Sequence, residues 1–113
     1  MTGNEYQNLA MKTASPAATA ANENLLLQGV MGMCGEAGEA IDIVKKHLFH
    51  GHPLDKEHVA KELGDVMWYV ATTAKAIGYD LNTIMQMNIE KLALRYGDRF
   101  DSEKSQHRKA GDV

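Results

Sequence analysis

Cysteine and proline are nearly missing from this chain of 113 residues, and long apolar runs are missing altogether. The lone cysteine, Cys34, excludes an intramolecular disulfide framework and suits a reducing compartment. No stretch approaches the roughly 18 consecutive apolar residues that a spanning helix needs, so no membrane segment is expected. The N-terminus has no basic region leading into an apolar run, which argues against a secretory leader. A cytoplasmic location is the expectation. Excess positive charge is also missing: 12 Lys and Arg against 15 Asp and Glu leave a net charge of -3. No global field therefore draws in nucleic acid, and none is expected as a partner. Any phosphate-bearing ligand must be held by local basic groups or through a metal. There is no strand-like alternation, no internal repeat, and neither G-x-x-x-x-G-K-[ST] nor G-x-G-x-x-G to cradle a phosphate.

What is present is helical periodicity, in a length that suits one domain, residues 1–113, with a single modest core. Tyr6, Leu9, Ala10 and Thr13 fall at helical spacing and predict a short first helix, with Asn4 as its cap. Residues 14–24 read either as a hinge or as a helix starting at Ser15–Pro16. From Leu26, the residues Val30, Met33, Ala37, Ile41, Val44 and Leu48 recur at steps of three and four, the core stripe expected of a long amphipathic helix. Gly51-His52-Pro53-Leu54 breaks that pattern and Asp55 can cap the next helix. Val59, Leu63, Val66, Met67, Val70, Ala74 and Ile77 give a second stripe, stopped by Gly78. Asp80 opens a further helix through Ile84, Met87, Ile89, Leu92 and Tyr96, stopped by Gly97. Residues 98–113 are polar and read as a loosely held tail. The expected fold is all-α, a small antiparallel bundle of about four helices. The methionines read as pliable core, Cys34 as a packed, inert thiol, and His47, His50 and His52 as polar groups at a helix end.

Two acidic pairs carry the chemistry. Glu36-Ala37-Gly38-Glu39 lies in the first long helix and Glu62-Leu63-Gly64-Asp65 in the second. Acids three apart are neighbours on a helix surface. Each pair flanks its apolar stripe on the same side, so in an antiparallel hairpin Glu39 levels with Glu62 and Glu36 with Asp65. That meeting is square if the first long helix ends near Lys46; a longer helix needs a tilt or a displaced turn. Surface acids on helices usually have Lys or Arg four residues on, as Asp42 has Lys46. These four have Ala40, Ile43, Val66 and Tyr69 there instead. Gathered carboxylates without cationic neighbours repel one another unless a cation sits among them, and an all-oxygen set suits Mg²⁺, with Mn²⁺ as the alternative.

Other signals are weaker singly. Gly29, Gly32, Gly35 and Gly38 repeat every three residues within a helix, where each costs roughly 1 kcal/mol against alanine and calls for a close approach of a helix or ligand as the offset. Asn88, Lys91 and Arg95 share one helix face, a basic arm suited to phosphates but also to the helix C-terminal dipole. Trp68 can fill the core or present its ring to a nucleobase.

The string Gly32-Met33-Cys34-Gly35-Glu36-Ala37-Gly38-Glu39, then Lys45-Lys46, then Lys61-Glu62-Leu63-Gly64-Asp65-Val66-Met67-Trp68-Tyr69 resembles the MazG-like nucleotide pyrophosphohydrolases, whose signature is ExxE, a spacer and ExxD. Here 22 residues lie between Glu39 and Glu62. Asn88-Ile89-Glu90-Lys91-Leu92, Arg95-Tyr96, Phe100, Ser105 and Arg108 are similar to the family's closing segment, with Gly97 where many relatives have proline. The resemblance implies an all-α oligomer that splits a nucleoside or deoxynucleoside triphosphate into monophosphate and pyrophosphate. Carried over, Glu36, Glu39, Glu62 and Asp65 are Mg²⁺ ligands, and Glu36 or Glu39 also orients or deprotonates the attacking water. Asn88, Lys91 and Arg95 then contact the nucleotide's phosphates and sugar. A homo-oligomer, either a dimer or a tetramer built from dimers, is expected also because so short a chain has little apolar surface to enclose a site alone. Three alternatives stand beside this reading. One is a phosphoribosyl-ATP pyrophosphohydrolase-like enzyme. Another is a di-iron bundle, disfavoured because Glu-x-x-His pairs are absent. The last is a non-catalytic helical interaction module.

Overall fold

In a computed structural model that describes all 113 residues, every regular element is a helix. The first, α1 (Gly3–Met11), is capped by Thr2, whose hydroxyl accepts the Glu5 amide at 3.1 Å. The cap thus falls two residues before the expected Asn4, because Thr2 is extended and places its oxygen over the first turn. The open choice over residues 14–24 resolves as a helix start: Ser15 caps the single turn α2 (Pro16–Thr19), with proline at its first position. Next come α3 (Asn22–Phe49) and α4 (Lys56–Ala76), the latter capped by Asp55, which accepts the His58 amide at 3.0 Å. The turn between them uses Gly51 at positive φ, 73°, and His47 Nδ1 lies 2.8 Å from the His52 carbonyl. That gives His47 a polar role at the end of α3, as expected, here in closing the turn.

Two units can be distinguished, Met1–Leu81 and Asn82–Val113. In the first, α3 and α4 form an antiparallel hairpin whose inner seam is not the one the apolar stripe predicts. The α3 residues that face α4 are on the glycine side. A Cβ on Gly29 would collide with the Thr73 side chain and one on Gly32 with the Tyr69 ring. Leu25 and Gly29 are buried on this same face. Expectation and structure therefore part on the long stripe: Val30 and Val44 are 41% exposed, Ile41 68% and Leu48 63%. On α4, Leu63, Met67 and Ile77 are likewise exposed. The physical reason is backbone proximity, since only glycine lets the two helix axes come this close, and most of the bulky stripe is turned about 100° round α3, off the seam. Gly35 and Gly38 have open space around them, so their cost is not offset by the α4 contact. Cys34, expected to be packed, is exposed, as are Met31, Met67, Met85 and Met87.

The buried core is correspondingly small-sided. Ala10, Ala71 and Leu81 form one cluster with Tyr6, Trp68 and Val70 against it, and Ala18, Leu25 and Ala76 form another with Met11. Gln7 ties α1 into this unit. Its buried side chain donates to the carbonyls of Ala71 and Tyr79, both at 3.1 Å, and accepts the Leu81 amide at 3.2 Å.

In the second unit, α5 (Leu81–Tyr96) continues to Gly97, and Asp101 caps α6 (Ser102–Gln106) through the amides of Glu103 and Lys104. The polar segment after Gly97 is more ordered than a loose tail. Arg95 forks onto Asp112, Nε to Oδ2 at 2.8 Å and Nη2 to Oδ1 at 2.9 Å. Tyr96 packs on Phe100 with ring centroids 5.3 Å apart. No helix is long and apolar enough to cross a membrane.

Candidate metal centre

Gly29 opposite Thr73 and Gly32 opposite Tyr69 fix the register of the hairpin, and one further turn along α3 brings Glu36 to the level of Asp65. The Glu36–Asp65 half of the expected levelling is met although α3 runs on to Phe49, but Glu62 meets Glu36 rather than Glu39. Carboxylate oxygens of Glu36, Glu62 and Asp65 lie within 4.8 Å of one another. Glu62 is buried, Glu36 partly buried and Asp65 exposed, so the group opens to solvent at one side. Glu39, the fourth acid of the sequence pattern, is exposed and stands outside this group. It borders a cavity of about 330 Å³ that Asp42, Lys46, His52, Asp55 and His58 also line.

The electrostatics of the trio are those of crowded like charges. A hydrogen bond with Glu62 raises the Glu36 carboxyl above its usual 4.5, helped by desolvation and by the charges of Asp65, Glu62 and Glu39. Burial, with the charge of Asp65, likewise raises the phenol of Tyr6, whose hydroxyl points at the Gly64 carbonyl between the two α4 acids. Glu62 accepts from His58 Nε2 at 3.1 Å through one oxygen, while its other oxygen, Oε2, is buried, and with Glu36 ionised no donor reaches it. A buried carboxylate oxygen left unpaired is costly, and a cation among the three acids would satisfy it. Three hard oxygen donors suit a divalent ion of the magnesium class better than a soft metal. The contrast is Asp42, held down to about 2 by hydrogen bonds from Lys46 and Lys45. The Lys46 pair, at 2.8 Å, is the plain surface interaction the spacing predicted, and Lys45 adds a second at 3.0 Å.

The sign of the Glu36 shift gives a prediction. A carboxyl raised in the folded state contributes stability below its unfolded value and loses it as pH rises through the folded one. In EDTA, Glu36→Gln should therefore become progressively more stable than the parent chain as pH rises from 4.5 toward neutrality. Paired thermal melts across that range check it, and a difference that does not vary with pH would contradict it.

Trp68 takes the first of its two sequence readings, that of core filler. Its ring packs on the α1–α4 cluster, and its indole N–H donates to the Ala10 carbonyl at 3.1 Å and to Thr13 Oγ1 at 2.8 Å. The same residue lines an open cavity of about 350 Å³ with Thr13, Glu36, Asp65 and Tyr69, beside the acids. Tyr69 stands edge-on to Trp68 at 5.1 Å. Sequence reasoning passed over Thr13, Tyr69 and His58 as site residues. Only His58 left a signal, a histidine four positions before an acid on one helix.

Asn88 and Lys91 are exposed on α5. Lys91 and Arg95 line a basic cavity of about 570 Å³ in the second unit, together with Lys104, His107 and Arg108. Of the residues singled out in the closing segment, Lys91, Arg95 and Arg108 line this cavity; beside them Tyr96 is lowered by a hydrogen bond with Ser105, and Arg108 acts on both Tyr96 and Asp112.

The MazG nucleotide pyrophosphohydrolase domain family matches residues 26–100, a span that contains both acidic pairs and the basic arm. The chain is 42% identical over 69 residues to the Gene 37 protein of Mycobacterium phage L5, an alignment that spans 58% of this chain and 60% of the phage protein. No solved structure matches. Two paired acids on a helical hairpin, in the order and within the span that the family match covers, make this chain a member of the MazG nucleotide pyrophosphohydrolase domain family.

Proposed function

We propose that this protein hydrolyses a nucleoside or deoxynucleoside triphosphate to the monophosphate and pyrophosphate in a Mg²⁺-dependent reaction. The observation that carries this reading is the unpartnered, buried Oε2 of Glu62 inside a trio of carboxylates. Glu36, Glu62 and Asp65 would hold the cation. When bound, Mg²⁺ supplies charge neutralisation at the phosphates and a lowered pKa for water. Water oxygen forms the new bond to the α-phosphorus as the bond to the bridging oxygen breaks, and pyrophosphate carries away the electron pair. Either Glu36 or Glu39 orients that water and accepts its proton; Glu39, exposed and outside the trio, is the freer to do so. The cavity beside Trp68 and Tyr69 would take the nucleobase, with Trp68 presenting ring rather than N–H because its N–H is already spent on Ala10 and Thr13. Asn88, Lys91 and Arg95 would contact phosphates and sugar.

A pyrophosphate-release screen over ribo- and deoxyribonucleotides with Mg²⁺ tests the reading. Release that needs the metal supports it. Equal release in excess EDTA, or none from any nucleotide, sinks it.

The same reading includes a homo-oligomer, a dimer or a tetramer built from dimers. Its support is the apolar side of α3 left exposed by the glycine seam, where Ile41, Val44, Leu48 and Phe49 line a shallow apolar depression. Light scattering at micromolar concentration should report a multiple of the 12.4 kDa chain mass. A fully active monomer would contradict it.

A further inference from the structure

His58 lies one turn before Glu62 on α4 and has no part in the reaction proposed above. Its imidazole has a specific task. An ionised carboxylate only accepts, so the 3.1 Å contact requires Nε2–H to donate to Glu62 Oε1. That leaves Oε2 buried and unpaired. Glu62 also sits within 4.8 Å of two other carboxylates, whose repulsion favours any rotamer that turns it away from them. Glutamate has three side-chain torsions through which to turn. The backbone beneath His58 is itself fixed, since its amide donates to the Asp55 cap at 3.0 Å.

We propose that His58 is a positioning residue for the metal centre: by holding Glu62 Oε1 from the far side, it fixes the carboxylate so that Oε2 faces the cation position. Hydrogen bonds of this kind to a metal-bound group orient the ligand and are worth about 10- to 100-fold in metal affinity. The imidazole side chain is 51% exposed, so its removal opens no cavity in the core. The inference rests on the metal reading of the three acids, and the test separates the two.

Mn²⁺ is titrated into the whole chain without nucleotide, and the free ion is followed by electron paramagnetic resonance. Four proteins are compared: the parent chain, His58→Ala, His58→Gln and Glu62→Gln. His58→Ala should bind Mn²⁺ about tenfold or more weakly. His58→Gln, whose amide can donate to Oε1 from the same position, should regain most of that loss. Unfolding midpoints in EDTA should be alike for the two His58 variants, so the affinity change cannot be laid to a damaged fold. Parent-like affinity in His58→Ala overturns the proposal, as does a His58→Gln no better than alanine. If His58→Ala does not fold, His58→Gln decides alone: parent-like affinity supports the donor role and a tenfold loss overturns it. Failure of Mn²⁺ to bind the parent chain overturns the metal reading itself, and this inference with it; Glu62→Gln binding as well as the parent does the same.

Discussion

Glu36→Gln, Glu62→Gln and Asp65→Asn should each fold and each lose metal-dependent pyrophosphate release by roughly a thousandfold, the scale set by a cation's stabilisation of transition-state charge. The three stand together within 4.8 Å, so each substitution removes one donor and one negative charge from the same place. Their effects should not add. Once one donor is gone and the ion is loosely held, losing a second costs little more. Glu39→Gln belongs to a different class because Glu39 stands outside the trio. If it takes the proton from water, its loss should lower kcat while Mn²⁺ affinity stays near the parent value. Parallel metal titration and steady-state kinetics on the four variants would show this. Full activity in any of the three trio variants would remove that residue from the centre.

Lys91→Ala and Arg95→Ala should each lower kcat/KM by roughly ten- to a hundredfold, the worth of a charge-assisted hydrogen bond to phosphate. Metal affinity in the absence of nucleotide should stay unchanged. The structure adds a complication for Arg95, whose guanidinium is forked onto Asp112 with only 8% of its side chain exposed. Arg95→Ala also strips a largely covered carboxylate of its partner and should loosen the segment after α6. Asp112→Ala is the control that separates these effects. It removes the same ion pair but keeps the cation. If Arg95 serves only to hold Asp112, the two variants lose stability alike and neither loses much kcat/KM. If Arg95 meets phosphate, only Arg95→Ala shows the kinetic defect.

Helix content and helix ends were legible because local chemistry decides them. Asp55 caps α4, Gly78 and Gly97 end α4 and α5 at positive φ, and Asp42 pairs with Lys46, all at their expected places. The levelling of Glu36 with Asp65 was legible too, since two antiparallel helices leave few registers. Burial was not. A stripe such as Val30, Ile41 and Leu48 states that a face is apolar, but not what covers it. The glycines carried part of that information: Gly29 and Gly32 mark where α4 approaches, but Gly35 and Gly38, read the same way in the sequence, face open space. The acids themselves were legible as a set of four, whereas their division into a trio and Glu39 depends on side-chain directions that spacing does not encode. His58 and Gln7 stayed out of view because a single polar residue gives no period; each matters only through the partner it reaches.

Trp68 is the chain's single tryptophan, and its indole N–H is bound to Ala10 and Thr13 across 58 and 55 positions of sequence. Emission from this ring is thereby tied to the arrival of α1 on α4. A denaturation curve read by fluorescence follows the undocking of the N-terminal helix, while circular dichroism, dominated by the two long helices, follows their unwinding. Where the two curves separate, the gap measures how far the acid-bearing hairpin outlives the helix that walls its cavity. The molecule carries its own optical probe for that step, with no label required.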